Sequence, residues 1–248
     1  MTLLVFCALF FPVMLGGLSV FAFKTSSRFL KLLTAFSGAY LLAICFLEII
    51  PEIYTGQNTM TIGLFILGGF FIQLFLDFLS KGVEHGHEHE HRDCEGHENH
   101  NISAIAVMIG ICIHSFLEGM PLADAFNAEN MRNTLLTGIV IHNIPISIVL
   151  VGLLLQSGKQ KRTAFILLCV FALSSPLGTL TSHLIGKELI GNIDFFFSIT
   201  MAMVVGIFLH ISTTILFETD DQHHFNFYKL LSIILGAGVA ILLAQNII

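Results

Sequence analysis

Apolar stretches of about 20 residues or more recur along this chain, at roughly 1–23, 32–53, 60–80, 102–126, 134–156, 163–185, 193–217 and 228–248. At about 1.5 Å rise per residue, each crosses a hydrocarbon core of about 30 Å as an α-helix. Backbone polar groups in lipid must pair within their own segment, so helices are what these runs can form. With 55% hydrophobic and 11% charged residues, too little polar surface remains for a soluble domain. We expect an all-α membrane protein, an eight-transmembrane-helix bundle that occupies residues 1–248 as a single domain.

Basic residues predict its orientation through the positive-inside rule. Lys24, Arg28 and Lys31 follow the first span, Lys81 and Arg92 the third, Lys159, Lys161 and Arg162 the fifth, and Lys229 the seventh. Only Arg132 and Lys187 fall in the opposite set of loops. The bias places both termini outside and the loop after span 3 in the cytoplasm. No basic residue precedes the first apolar stretch, which argues against a cleaved secretory signal. The five cysteines show no CxxC spacing and four lie in apolar runs, so no disulfide framework is expected. No basic, aromatic-interleaved patch is present, and nucleic acid is not an expected partner.

The loop at about 81–101 breaks the apolar pattern: KGVEHGHEHEHRDCEGHENHN. It holds His85, His87, His89, His91, His97 and His100, six of the twelve histidines, among glutamates and Cys94. Alternating imidazoles in a polar tract offer many neutral ligands to a borderline metal without one fixed geometry. We read this tract as a weak, exchangeable metal store; the bland alternative is a solvated linker.

Ionisable residues within the spans carry more information, because each costs several kcal/mol at the bilayer centre unless it faces a partner or a watery cavity. In the fourth run, CIHSFLEG, His114 and Glu118 are one helical turn apart and share a face. The fifth carries VIHNIPIS, in which His142 lies about eight residues into the segment and Pro145 frees a carbonyl one turn earlier. Two imidazoles and a carboxylate are three of the four ligands of a tetrahedral zinc ion. Ser115 and Asn143, beside the histidines, offer a weak oxygen or a seat for water. Glu48 and Glu52 near the outer end of span 2, and Asp124 near that of span 4, stand where they would draw cations inward; for Glu52 a solvated helix end is a sufficient reading. Asp77 and Glu218 read as interface residues, and the isolated His183 and His210 as structural.

Taken together, these segments resemble the Zrt/Irt-like (ZIP) metal transporters. HSFLEG matches the family's HSxxEG pattern, and the histidine-rich loop falls where the family carries one. LLAICFLEIIPEIY, SSPLG and FLHISTTILFE are similar to family segments in spans 2, 6 and 7, so the resemblance covers most of residues 32–218. It implies transport of Zn²⁺ into the cytoplasm, with Fe²⁺, Mn²⁺ and Cd²⁺ as other candidate cargo. The implied site lies between spans 4 and 5, at His114, Glu118 and His142. The two-metal version of the family has HNxPEG in span 5; Ile146 stands here in place of its carboxylate and Ser147 in place of its glycine, which removes a bridging ligand. Another branch has Lys after the span 5 histidine, where this chain has Asn143, so it fits neither branch cleanly.

The nearest rival is a metal exporter, since those proteins also carry histidine-rich cytoplasmic loops; about six spans and paired Asp/His motifs would be expected of it. An intramembrane metallohydrolase would want HExxH-like spacing, which is absent, and no enzymatic activity is expected. The expected setting is the lipid bilayer of a bacterial plasma (inner) membrane, with a homodimer as the candidate assembly.

Overall fold

The computed structural model describes residues 3–23, 26–55, 58–80, 104–123, 129–188, 193–217 and 227–245. Among these the regular structure is entirely helical. The helices are α1 (Leu3–Ala22), α2 (Ser27–Ile53), α3 (Thr59–Ser80), α4 (Ala104–Gly119), α5 (Glu129–Gln156), α6 (Lys161–Glu188), α7 (Ile193–Phe217) and α8 (Phe227–Gln245). Seven are long and apolar enough to cross a membrane, and α4 is a shorter apolar helix. The histidine-rich loop, Asp124 and Glu218 lie outside the described residues.

Local chemistry sets the ends and irregularities. The fourth apolar run extends to Phe126, but α4 closes at Gly119 and passes into a 3₁₀ turn over Met120–Leu122. Pro121 explains this, since it lacks the N–H that would bond the Leu117 carbonyl in a continued α-helix. In α2, Pro51 lacks an N–H for the preceding turn, and the helix widens into a π-turn over Cys45–Ile49. Helix α5 ends at Gly158, whose φ of 77° suits a residue without a Cβ. There the Gly158 N–H donates to the Leu155 carbonyl and the Lys159 N–H to the Leu154 carbonyl, both at 3.1 Å. That paired closure turns the chain directly into α6.

Two apolar clusters organise the bundle. One joins α2, α7 and the N-terminal half of α5, through Tyr40, Leu41, Ile44, Leu135, Ile139, Phe208 and Ile211. The other joins α1, α4, α6 and the C-terminal half of α5, through Val13, Ile111, Ile146, Leu150, Leu168 and Phe171. Small residues bring some helix pairs to backbone contact, the usual device where lipid is as apolar as any side chain. A Cβ at Gly119 would overlap the Ser175 carbonyl, and one at Gly178 would overlap the Phe116 carbonyl, so α4 lies directly on α6. The outward faces of α3 and α8 expose Leu64, Leu67, Phe71, Phe75, Ile234, Leu235 and Leu242. Apolar surface of that extent is stable against lipid rather than water.

Candidate metal site

Four helices converge on one buried polar group. Helix α4 contributes His114 and Glu118, whose Nε2 and Oε1 atoms are 2.9 Å apart across one turn. Helix α5 contributes His142, its ring centroid 6.0 Å from that of His114 and its plane at 81° to it. His114, Glu118 and His142 are 0%, 0% and 2% exposed, and they present ligand atoms that all lie within 4.8 Å of one another. Among the described residues, they form the one group of three or more histidine, cysteine or acidic side chains placed closely enough to hold a metal ion.

The surrounding polar atoms divide by helix. Asn143 Nδ2 donates to Glu118 Oε2 at 3.5 Å, a long bond, while its Oδ1 is buried with no hydrogen-bond partner. Asn143 therefore stands in the group with an unused oxygen. Ser115 does not join it: its hydroxyl is 3.0 Å from Ser175 Oγ, and Ser175 donates to the Ser115 carbonyl at 2.8 Å. Thr179 extends this seam by donating to the Gly119 carbonyl at 2.8 Å. The seam fixes α4 against α6 at the turn that carries both of its site residues. Ile146 packs into the second apolar cluster, and the Ser147 hydroxyl donates to the Ile144 carbonyl at 2.7 Å, so neither adds a ligand.

Two contributors have no counterpart among the residues picked out by charge or motif. Gln73 of α3 is fully buried, with Oε1 at 3.0 Å from His114 Nδ1. Ser37 of α2 is also buried, with Oγ at 3.4 Å from His142 Nδ1. A lone amide in the middle of an apolar helix was a readable signal for Gln73. Serine is too ordinary in a packed span to signal anything at Ser37.

Glu48 lies on the π-turn, half-buried, and takes a hydrogen bond from Thr134. The Glu48–Thr134 and Ser37–His142 contacts make α2 and α5 antiparallel, with Thr134, Gly138 and His142 on one stripe of α5. Glu52 is exposed one turn beyond Glu48. His210 is buried edge-on to Phe70, with ring centroids 5.0 Å apart, and His183 is half-buried on α6. Both stand apart from the metal-ligating group.

Bundle and site together define a polytopic helical membrane protein with transition-metal donors enclosed between its helices. The family model of the ZIP zinc transporters matches residues 79–244, more than half of the chain, and the protein belongs to that family. Its class of activity is therefore divalent metal transport rather than enzymatic turnover. The match begins at the end of α3, so Ser37, Glu48 and Gln73 lie outside it.

Proposed function

We propose that this ZIP protein carries Zn²⁺ into the cytoplasm, one ion at a time, through a mid-membrane site formed by His114, Glu118 and His142. The observation that carries this reading is the convergence of three buried donor atoms within 4.8 Å. In a tetrahedral zinc site with bonds of about 2.0–2.1 Å, donors are separated by about 3.4 Å. Around the ion the His114–Glu118 pair would open by about half an ångström from its 2.9 Å separation while His142 draws in from within 4.8 Å, shifts within reach of small rotations. Asn143 Oδ1 or a water supplies the fourth position. One carboxylate and two neutral imidazoles leave the ion a net positive charge, which suits a site that must release its cargo.

The remaining assignments follow from sequence and geometry together. Helix α4 counts as the eighth span, and the basic residues place both termini outside. Glu48, with Thr134 beside it on the α2–α5 seam, lies on the outer approach, and Glu52 and Asp124 add negative charge near the same end. The histidine-rich loop faces the cytoplasm as a weak store. Ser115 serves the α4–α6 seam instead of the ion. Fe²⁺, Mn²⁺ and Cd²⁺ are the competing cargoes, since imidazole and carboxylate ligands accept all of them.

Purified protein in sealed vesicles, with Zn²⁺ outside and a zinc-sensitive dye within, tests this reading. Saturable entry that is lost in Glu118→Ala supports it. Expression in cells supplies the direction: cellular zinc rises for an importer and falls for an exporter, and a fall would overturn the proposal.

A further inference from the structure

Each histidine of the site has one ring nitrogen against an oxygen placed to accept a hydrogen bond. Gln73 Oε1 lies 3.0 Å from His114 Nδ1, and an amide oxygen carries no proton. Ser37 Oγ lies 3.4 Å from His142 Nδ1, and its single proton is directed to the Thr34 carbonyl at 2.9 Å. Towards the imidazole, Ser37 therefore has only a lone pair to offer. In both pairs this geometry suits the ring as the donor, with its proton on Nδ1.

We propose that Gln73 and Ser37 are positioning residues that hold His114 and His142 in the Nδ1–H tautomer, turning both Nε2 lone pairs towards the shared ion. This rests on the metal-site reading above. It extends that reading to two helices, α2 and α3, that supply no ligand. A neutral imidazole has one lone pair, and the hydrogen bond made by its other nitrogen decides where that pair sits. At His114 the arrangement fits this role: with Nδ1 donating to Gln73, Nε2 faces Glu118 Oε1 at 2.9 Å. Two acceptors at that distance repel unless a cation lies between them. The tautomer that Gln73 selects thus builds an affinity for positive charge into α4. Ser37 does the same for His142 of α5.

The test uses the full chain, labelled with ¹⁵N-histidine, in metal-free micelles. Imidazole nitrogen shifts distinguish the two tautomers, and signals missing from His114→Ala and His142→Ala identify the two rings. Both are expected as Nδ1–H. Gln73→Met should release His114 to a mixture and Ser37→Ala should release His142. Gln73→Glu and Ser37→Thr, which keep an acceptor, should preserve the wild-type tautomers. In vesicles, Gln73→Met and Ser37→Ala should raise the half-saturating zinc concentration by about 10–100-fold, the usual effect of losing a partner that orients a metal-bound histidine. An Nε2–H tautomer at either ring of the wild type overturns the proposal, whether or not any variant folds. Unchanged shifts and half-saturation in Gln73→Met and Ser37→Ala overturn it equally. Wild-type zinc uptake by His114→Ala would instead remove the ion site, while the metal-free spectra would still decide the role of Gln73 and Ser37.

Discussion

His114 of α4 and His142 of α5 face each other with ring centroids 6.0 Å apart and planes at 81°, both rings sealed from solvent. Glu118 completes the pair from one turn along α4, its Oε1 2.9 Å from His114 Nε2. In the proposed site the three contributions to ion binding would be unequal. A unit charge about 4 Å from another is worth on the order of 4 kcal/mol at an effective dielectric of 20. Glu118 supplies the anion of the set, whereas each imidazole supplies a neutral dipole. Glu118→Ala is expected to abolish zinc uptake, His114→Ala and His142→Ala to reduce it severely, and Asn143→Ala to have a smaller effect. Initial rates in vesicles, normalised to protein in the membrane, check the order; full uptake by Glu118→Ala would remove Glu118 from the site.

Stoichiometry follows from Ile146. Where the two-metal pattern wants a carboxylate, this chain places an apolar side chain inside a cluster with Leu150, Phe171 and Ile111. A second dication would then sit in a low-dielectric region without an anion of its own. Zinc titration of protein lacking residues 84–100 should saturate near one tight equivalent in calorimetry, and two tight equivalents would contradict the one-ion assignment. The same deletion should lower total bound zinc in the full protein yet leave most uptake intact, because ligands in a polar tract lose affinity to the entropy of ordering.

The candidate site residues are legible in the sequence because ionisable groups in an apolar span are costly, and a cost that large must have a reason. His114, Glu118 and His142 stood out on that ground, and the helical repeat put the first two on one face. The repeat does not say which helix lies against which face. Ser115 is adjacent to a ligand in sequence, but the packing of α4 on α6 turns its hydroxyl to Ser175. Ser37 is too small to be conspicuous, and Gln73, a lone amide in an apolar helix, is a weaker signal than an ionisable group. Both became significant once α2 and α3 were seen to close on the two imidazoles. Pro51 removes an N–H from α2, but that this yields a π-turn with Glu48 on it depends on how the helix repairs its lost hydrogen bond.

The glycines of the α4–α6 seam should be far less replaceable than those facing open space. A Cβ at Gly178 meets the Phe116 carbonyl of α4, whereas one at Gly152 or Gly238 meets nothing within 4 Å. Overpacking of this kind costs typically about 1–3 kcal/mol, and here it would push away the helix that carries His114 and Glu118. Gly178→Ala should lower the melting temperature in detergent and weaken zinc uptake. Gly152→Ala and Gly238→Ala should leave the melting temperature unchanged or slightly raised, since alanine favours the helix by about 0.5–1 kcal/mol. Equal melting temperatures for all three variants would show that the seam tolerates separation.

Orientation decides which approach to the proposed site faces the cytoplasm. Nine of the eleven basic residues fall on one side of the expected spans: Lys24, Arg28, Lys31, Lys81, Arg92, Lys159, Lys161, Arg162 and Lys229. Near an anionic cytoplasmic leaflet each favours the inside by about 1 kcal/mol, so together they outweigh Arg132 and Lys187. Single cysteines introduced near each terminus, beside Arg132 and within 81–101, in protein lacking its five native cysteines, should label differently with a membrane-impermeant thiol reagent. In intact cells the termini and the Arg132 loop are expected to react and the histidine-rich loop to stay protected until the membrane is permeabilised. Labelling of the histidine-rich loop from outside would invert the bundle. Glu48 and Glu52 would then stand on the cytoplasmic approach to His114, Glu118 and His142.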